Sequence, residues 1–91
     1  MQVVWSDHAL QDLERLREFI ANVNAEAAAQ VLQSLVLAPV NLLTHSRMGP
    51  ALARYEPREV RRLIVGNYEM HYELRVNALY ILRVWHTREN R

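Results

Sequence analysis

Apolar residues in this 91-residue chain are spaced in three different ways, and each spacing predicts a different element. Gln2 to Trp5 is a short β-branched and aromatic run, which reads as a first strand. Ser6 then stands where a helix N-cap would, with the acidic Asp7 next to it at the positive end of the helix. From there Ala9, Leu13, Leu16, Ile20 and Val23 recur at helical intervals, leaving Asp12, Glu14, Arg15, Arg17 and Glu18 mainly on the remaining surface. Asn22 to Asn24 breaks this helix, and Asn24 caps a second, alanine-rich one whose Ala28, Leu32 and Leu35 face a partner. Two helices joined by so short a link form an antiparallel hairpin. Pro39 removes a backbone donor and predicts a kink, after which PVNLL continues for another turn or two. THSRMGP, residues 44 to 50, is a loop.

Beyond that loop the period changes to two. Ala51 to Glu56 forms a strand or an irregular edge, interrupted by Pro57. Val60 to Val65 alternates, with Val60, Arg62 and Ile64 on one face and Arg61, Leu63 and Val65 on the other. Gly66 and Asn67 signal a two-residue hairpin with a type II′ turn. In the next strand Tyr68, Met70, Tyr72, Leu74 and Val76 point toward the core, and Glu69, His71, Glu73 and Arg75 toward water. Asn77 turns the chain into Leu79 to Val84, apolar on both faces except at Arg83, the pattern of a strand through the middle of a sheet. That strand runs into a charged tip: His86, Arg88, Glu89, Asn90 and Arg91.

One strand, two helices and then three or four strands predict an α+β domain spanning residues 1–91, with an antiparallel meander covered on one face by the helix pair. The uncovered face would carry Arg61 or Arg62, His71 and Arg75. The chain has no cysteine, which excludes disulfides, thiolate zinc sites and thiol nucleophiles and fits a reducing compartment. No apolar run reaches membrane-spanning length, and the first residues lack a signal-peptide pattern, so the expected location is the cytoplasm.

Charge adds an asymmetry. Residues 1–45 carry two arginines against five acids, and residues 46–91 carry nine against five; every cation is arginine. The planar guanidinium suits phosphate, carboxylate and aromatic faces, so the second half points to a nucleic acid or an acidic protein segment. A GC-rich genome accounts equally well for arginine replacing lysine, though less well for the segregation. The four histidines show no metal-ligand spacing, and two glycines are too few for a phosphate loop, so no metal or cofactor is expected. The chemistry that remains is Arg61, Arg62, Tyr68, Arg83, Trp85, His86 and Arg88 on neighbouring strands. Arginines can stabilise charge on a phosphorane, and a histidine can protonate a leaving oxygen. The plainer alternative makes Trp85 a core residue, His86 a strand-end residue with a hydrogen-bond partner and the arginines a solvated face.

The segments VVWSDHALQDLERLREFI, AAAQVL, LLTHSRMGP, VRRLIVGNYEMHYEL and ILRVWHTREN, in this order, resemble the RelE/ParE superfamily of toxins from type II toxin–antitoxin modules. The likeness is greater to the ParE side, whose members are often labelled plasmid-stabilisation proteins. It implies a growth-inhibiting toxin in a hetero-oligomer with a cognate antitoxin whose C-terminal segment wraps its surface. ParE-like members inhibit DNA gyrase; RelE-like members cut mRNA on the ribosome. For a nuclease the carried-over candidates are Arg61, Arg62, Tyr68, His86 and Arg88. For a binding toxin the contact residues are Arg61, Arg62, His71, Arg75, Arg83, Trp85 and Arg88. Glu69 stands where the nuclease pattern has an arginine after the hairpin tyrosine, and nothing aromatic follows Trp85. A carboxylate there repels phosphate, so the gyrase reading leads and the nuclease is its alternative.

Overall fold

The computed structural model describes residues 1–89. Strand β1 (Gln2–Trp5) leads into helices α1 (Asp7–Ala21) and α2 (Ala25–Leu42), followed by a 3-10 turn at Ala53–Tyr55 and strands β2 (Val60–Val65), β3 (Tyr68–Leu74) and β4 (Ala78–His86). Both helices start where side-chain oxygens replace missing acceptors: Ser6 Oγ accepts from Ala9 N–H at 3.0 Å, and Asn24 Oδ1 from Ala27 N–H at 3.1 Å. Helix α2 does not end at Pro39 but runs on to Leu42, with the proline ring buried.

The sheet order is β1-β4-β3-β2. Strands β2, β3 and β4 form the antiparallel meander, and β1 adds to it in parallel, pairing Gln2 to Trp5 with Ala78 to Ile81. Strand β4 is therefore interior, as its apolar run predicts. Gly66 takes φ +60 while no other described residue has positive φ, which suits the two-residue turn joining Val65 to Tyr68. One residue, Leu82, is extra in the β3–β4 ladder, since His71 pairs with Arg83 but Tyr72 with Ile81.

The core lies between the helix pair and one face of the sheet, where Ala9, Leu16, Leu35, Leu42, Met70, Tyr72, Leu79, Ile81 and Val84 are all buried. Several expectations need correction. Val23 and Val76 are 85% and 94% exposed, because α1 stops at Ala21 and β3 at Leu74, so neither periodicity extends that far. Ala51 makes a single bridge to Arg61 and the chain then enters the 3-10 turn, so no strand forms there. His71 and Glu73 belong to the face expected to be wet, yet both are buried. The 3-10 turn lays Tyr55 edge-on to His71, and Arg58 covers Glu73 with two hydrogen bonds. Asp12, assigned to the helix surface, is 4% exposed.

Candidate functional site

The tip of β4 is organised by a mismatch in strand length. Strand β1 has four residues and β4 nine, so beyond Ile81 the outer edge of β4 has no strand to pair with. Buried backbone polar groups need partners, and here α1 and its cap supply them. Ser6 Oγ donates to Leu82 O at 2.9 Å, Asp12 accepts from Val84 N–H at 2.9 Å, and Arg15 donates to Val84 O at 3.3 Å. The Asp12 carboxylate also takes both Nε and Nη2 of Arg83, at 2.8 and 3.1 Å, and Nη2 of Arg15 at 3.2 Å. Burial pushes its pKa up, but the hydrogen bonds from Arg83, Val84 and Arg15 together outweigh this and hold it below the usual carboxylate range. Arg15 extends the chain of contacts to Glu89, whose other oxygen accepts from His86 N–H at 2.8 Å.

Beside this network is a cleft of about 520 Å³. Leu16, Phe19 and Ile20 form an apolar wall, and Arg15, Tyr68, His86, Arg88 and Glu89 complete the lining. Tyr68 and His86 pair across the strands with ring centroids 5.1 Å apart, edge to face. His86 Nδ1 accepts from the Arg88 N–H at 3.0 Å, so the neutral ring carries its proton on Nε2 and is a donor there. Burial, helped by the Glu89 charge, raises the Tyr68 pKa and keeps the phenol neutral. Arg88 has no acidic partner among the described residues. The cleft thus pairs an apolar wall with hydrogen-bond donors from His86, Arg88 and Arg15, a lining suited to an acceptor or anion carried on an apolar group.

The other sequence candidates lie elsewhere. Arg61 is on β2, where its guanidinium donates to Glu59 at 2.9 Å and to Gly49 O at 2.6 Å, tying down the 44–50 loop. Arg62 pairs in register with His71 on the helix-free face and holds no acid among the described residues. His71 sits beneath Tyr55 and Trp85, with its Nε2 2.7 Å from Glu69, so its buried ring is not a direct contact for a partner. Arg75 donates to Glu73 at 3.1 Å and lies over the Tyr80 ring. Arg83 is committed to Asp12. Sequence reasoning overlooked Asp12 itself, although it falls three residues after Ala9 and four before Leu16, within the apolar stripe.

A sequence model of the ParE toxin of type II toxin–antitoxin systems (parDE) matches residues 3–91, nearly the whole chain. The chain belongs to the ParE toxin family. A search of curated proteins gives no match. Among solved structures, a chain of the chromosomal ParDE toxin–antitoxin system from P. aeruginosa superposes with a TM-score of 0.77 at 20% identity, over 94% of this chain and 95% of that one. Identity that low speaks for a shared fold. Within this ParE fold, Tyr68, His86 and Arg88 come together at one cleft, while Arg61 and Arg62 stand on the far edge strand with their side chains on opposite faces. No helix among the described residues is long and apolar enough to cross a membrane.

Proposed function

We propose that this ParE-family toxin acts by binding DNA gyrase and is neutralised by a cognate antitoxin, rather than by cutting RNA. The observation that carries the reading is the dispersal of the groups a nuclease needs. Phosphoryl chemistry requires cations and a proton donor aimed at one phosphate. Of the five candidates, Arg61 is spent on Glu59 and the Gly49 carbonyl and Arg62 faces away from the helices; Glu69, which is not one of them, holds the position after Tyr68.

The antitoxin surface that fits best is α2. No aspartate, glutamate, lysine or arginine occurs from Ala27 to Ser46, and Val36, Leu37, Val40 and Leu43 line its outer side at 41% to 55% exposure. An amphipathic antitoxin segment would lay its apolar positions along this stripe. Purified toxin should block gyrase supercoiling and leave mRNA intact in a translating extract; codon-specific cleavage would refute the gyrase reading. Val40→Glu should abolish antitoxin capture without unfolding the chain, and unchanged capture would remove α2 from the interface.

The nuclease alternative is favoured by one feature, the convergence of Tyr68, His86 and Arg88. With a neutral phenol and an Nε2–H, that cleft would donate protons rather than abstract them. If the His86→Ala/Arg88→Ala variant kept full toxicity, this alternative would fail.

A further inference from the structure

We propose that the helix-free face of the sheet is a binding surface for single-stranded nucleic acid, in which Arg54 and Arg62 take phosphates and the rings of Tyr55 and Trp85 receive bases. This goes beyond the gyrase reading and uses neither the β4 cleft nor the α2 stripe.

The starting point is which arginines are already committed. Arg15, Arg17, Arg47, Arg58, Arg61, Arg75 and Arg83 each form an ion pair with an acid. Among the described residues Arg54, Arg62 and Arg88 do not, and the first two share one face. Arg62 stands opposite His71 on β2 and Arg54 lies against the Tyr55 ring that covers it, so both border the Tyr55–His71–Trp85 cluster. Arg58 and Arg75 on the same face share one carboxylate, Glu73, so that trio keeps an excess positive charge. Glu69 hydrogen-bonds the His71 ring at 2.7 Å and keeps its negative charge, so this side of the sheet carries Arg54, Arg58, Arg62 and Arg75 against Glu69 and Glu73 and retains a net positive charge. Among the described residues, the acids without an ion-pair partner are Asp7, Glu18 and Glu26 on the helical side and Glu56 at the end of the 3-10 turn, so three of these four lie away from the sheet face.

Three half-buried aromatic residues are interleaved with these cations. Arg54 lies 4.9 Å and Arg58 5.9 Å from the Tyr55 ring centroid, and Arg75 lies 4.2 Å from that of Tyr80. Trp85 stands beside His71 at 4.5 Å, in register with Glu69. Alternating guanidinium and ring on a rigid sheet is what a single strand uses: phosphates meet the cations, and bases stack without regard to sequence. An acidic peptide fits this face less well. Peptides dock by adding to a strand edge or by burying an apolar helix stripe. The centre of a paired sheet offers no open backbone, and among the described residues within strands β2, β3 and β4 Ile64 is the one large apolar side chain that is exposed.

The test is fluorescence anisotropy of the full chain with labelled oligothymidylate and oligouridylate of about 20 nucleotides, more than the ~4–16 that such a face covers. Trp85 emission is followed in a Trp5→Phe background. Both strands should bind and quench Trp85, and preference for one sugar would identify DNA or RNA as the source. The exposed, ion-pair-free positions permit Arg54→Glu/Arg62→Glu without loss of the fold, checked by circular dichroism. That variant should bind roughly tenfold or more weakly, with a log–log salt slope shallower by about 1.4 between ~50 and ~200 mM, since each phosphate contact on a single strand contributes about 0.7. Arg17→Glu, on the helical side, should leave binding unchanged. The proposal is overturned by absence of binding at low salt, by an unchanged slope in the double variant, or by an equal loss in Arg17→Glu. It also falls if oligoglutamate displaces the strand as well as unlabelled oligonucleotide does, because the surface would then be one for acidic proteins.

Discussion

Replacing Asp12 tests whether the edge of β4 is held by side chains as argued. Asp12→Ala removes the partner of Arg83, one partner of Arg15 and the acceptor for Val84 N–H. Breaking a fully buried ion pair costs roughly 3–5 kcal/mol. Here Arg83 and Arg15 keep 38% and 39% of their side-chain surface in water, so they rehydrate and the ionic part falls to about 1–2 kcal/mol. The stranded Val84 N–H adds about 1–2 kcal/mol. The expected loss is therefore about 3 kcal/mol, a large share of the ~5–14 kcal/mol expected of a domain this size, or about 12–24 °C in Tm. Asp12→Asn keeps one acceptor oxygen for the Val84 N–H but loses the charge and the second oxygen, which accepts from Nη2 of Arg83 and Arg15, so it should cost about half as much.

Urea denaturation at neutral pH, followed by circular dichroism, reads both numbers. A loss below ~1 kcal/mol for Asp12→Ala, or equal losses for Ala and Asn, would refute this account of the edge. Acid provides a second measurement. The folded chain holds Asp12 below its ordinary value of 3.8. The unfolded chain therefore takes up the proton first, and the contribution present above that pH is lost as pH falls through the folded-state value. Asp12→Asn should flatten that acid limb.

Three further outcomes follow from the fold. Gly49→Ala should destabilise by about 1–3 kcal/mol or more in the same denaturation assay, since a Cβ there would stand 2.0 Å from the Arg62 carbonyl oxygen; a neutral result would mean that the 44–50 loop is not packed against β2. Tyr72→Phe should cost about 1–3 kcal/mol, because the buried hydroxyl donates to Ser46 O at 2.9 Å and accepts from Gly49 N–H at 3.2 Å. Burial pushes the His71 pKa below 6.5 although Glu69 pulls it up. The unfolded chain then binds the proton more readily, stability declines as pH falls below 6.5, and His71→Gln should remove that slope from a pH series of melting curves.

The elements were legible where the sequence carries a local rule. Ser6 and Asn24 cap the helices they announce, Gly66 takes the positive φ its turn requires, and the run Leu79 to Val84 is the interior strand. The failures share a cause: burial on a face depends on what another part of the chain lays over it. Alternation puts His71 and Glu73 on the solvent side of β3, and that is where they point; Tyr55 and Arg58, from a turn with no periodic signal, cover them. Arg83 and Arg75 read as free cations because their acids are distant in sequence or shared. The extra residue at Leu82, which aims the last residues of β4, leaves no trace in composition at all.

That bulge and the short β1 explain why a costly buried carboxylate stands at position 12. Replacing buried ionic groups by well-packed apolar ones is often neutral or stabilising, so stability alone is a poor reason for Asp12, Arg15 and Arg83. An apolar side chain at position 12 could not accept the Val84 N–H, which β1 is too short to reach. Once Asp12 is there, Arg15 is drawn to it and on to Glu89, and Glu89 in turn holds the His86 N–H. The network therefore sets the position of the tip, with Tyr68, His86 and Arg88 around it, more than it stabilises the fold. Asp12→Asn, which remains folded by the reckoning above, should broaden the amide resonances of residues 84–89 and leave those of β2 sharp. Uniform broadening through the sheet, or none at the tip, would reduce Asp12 to an ordinary stabilising residue.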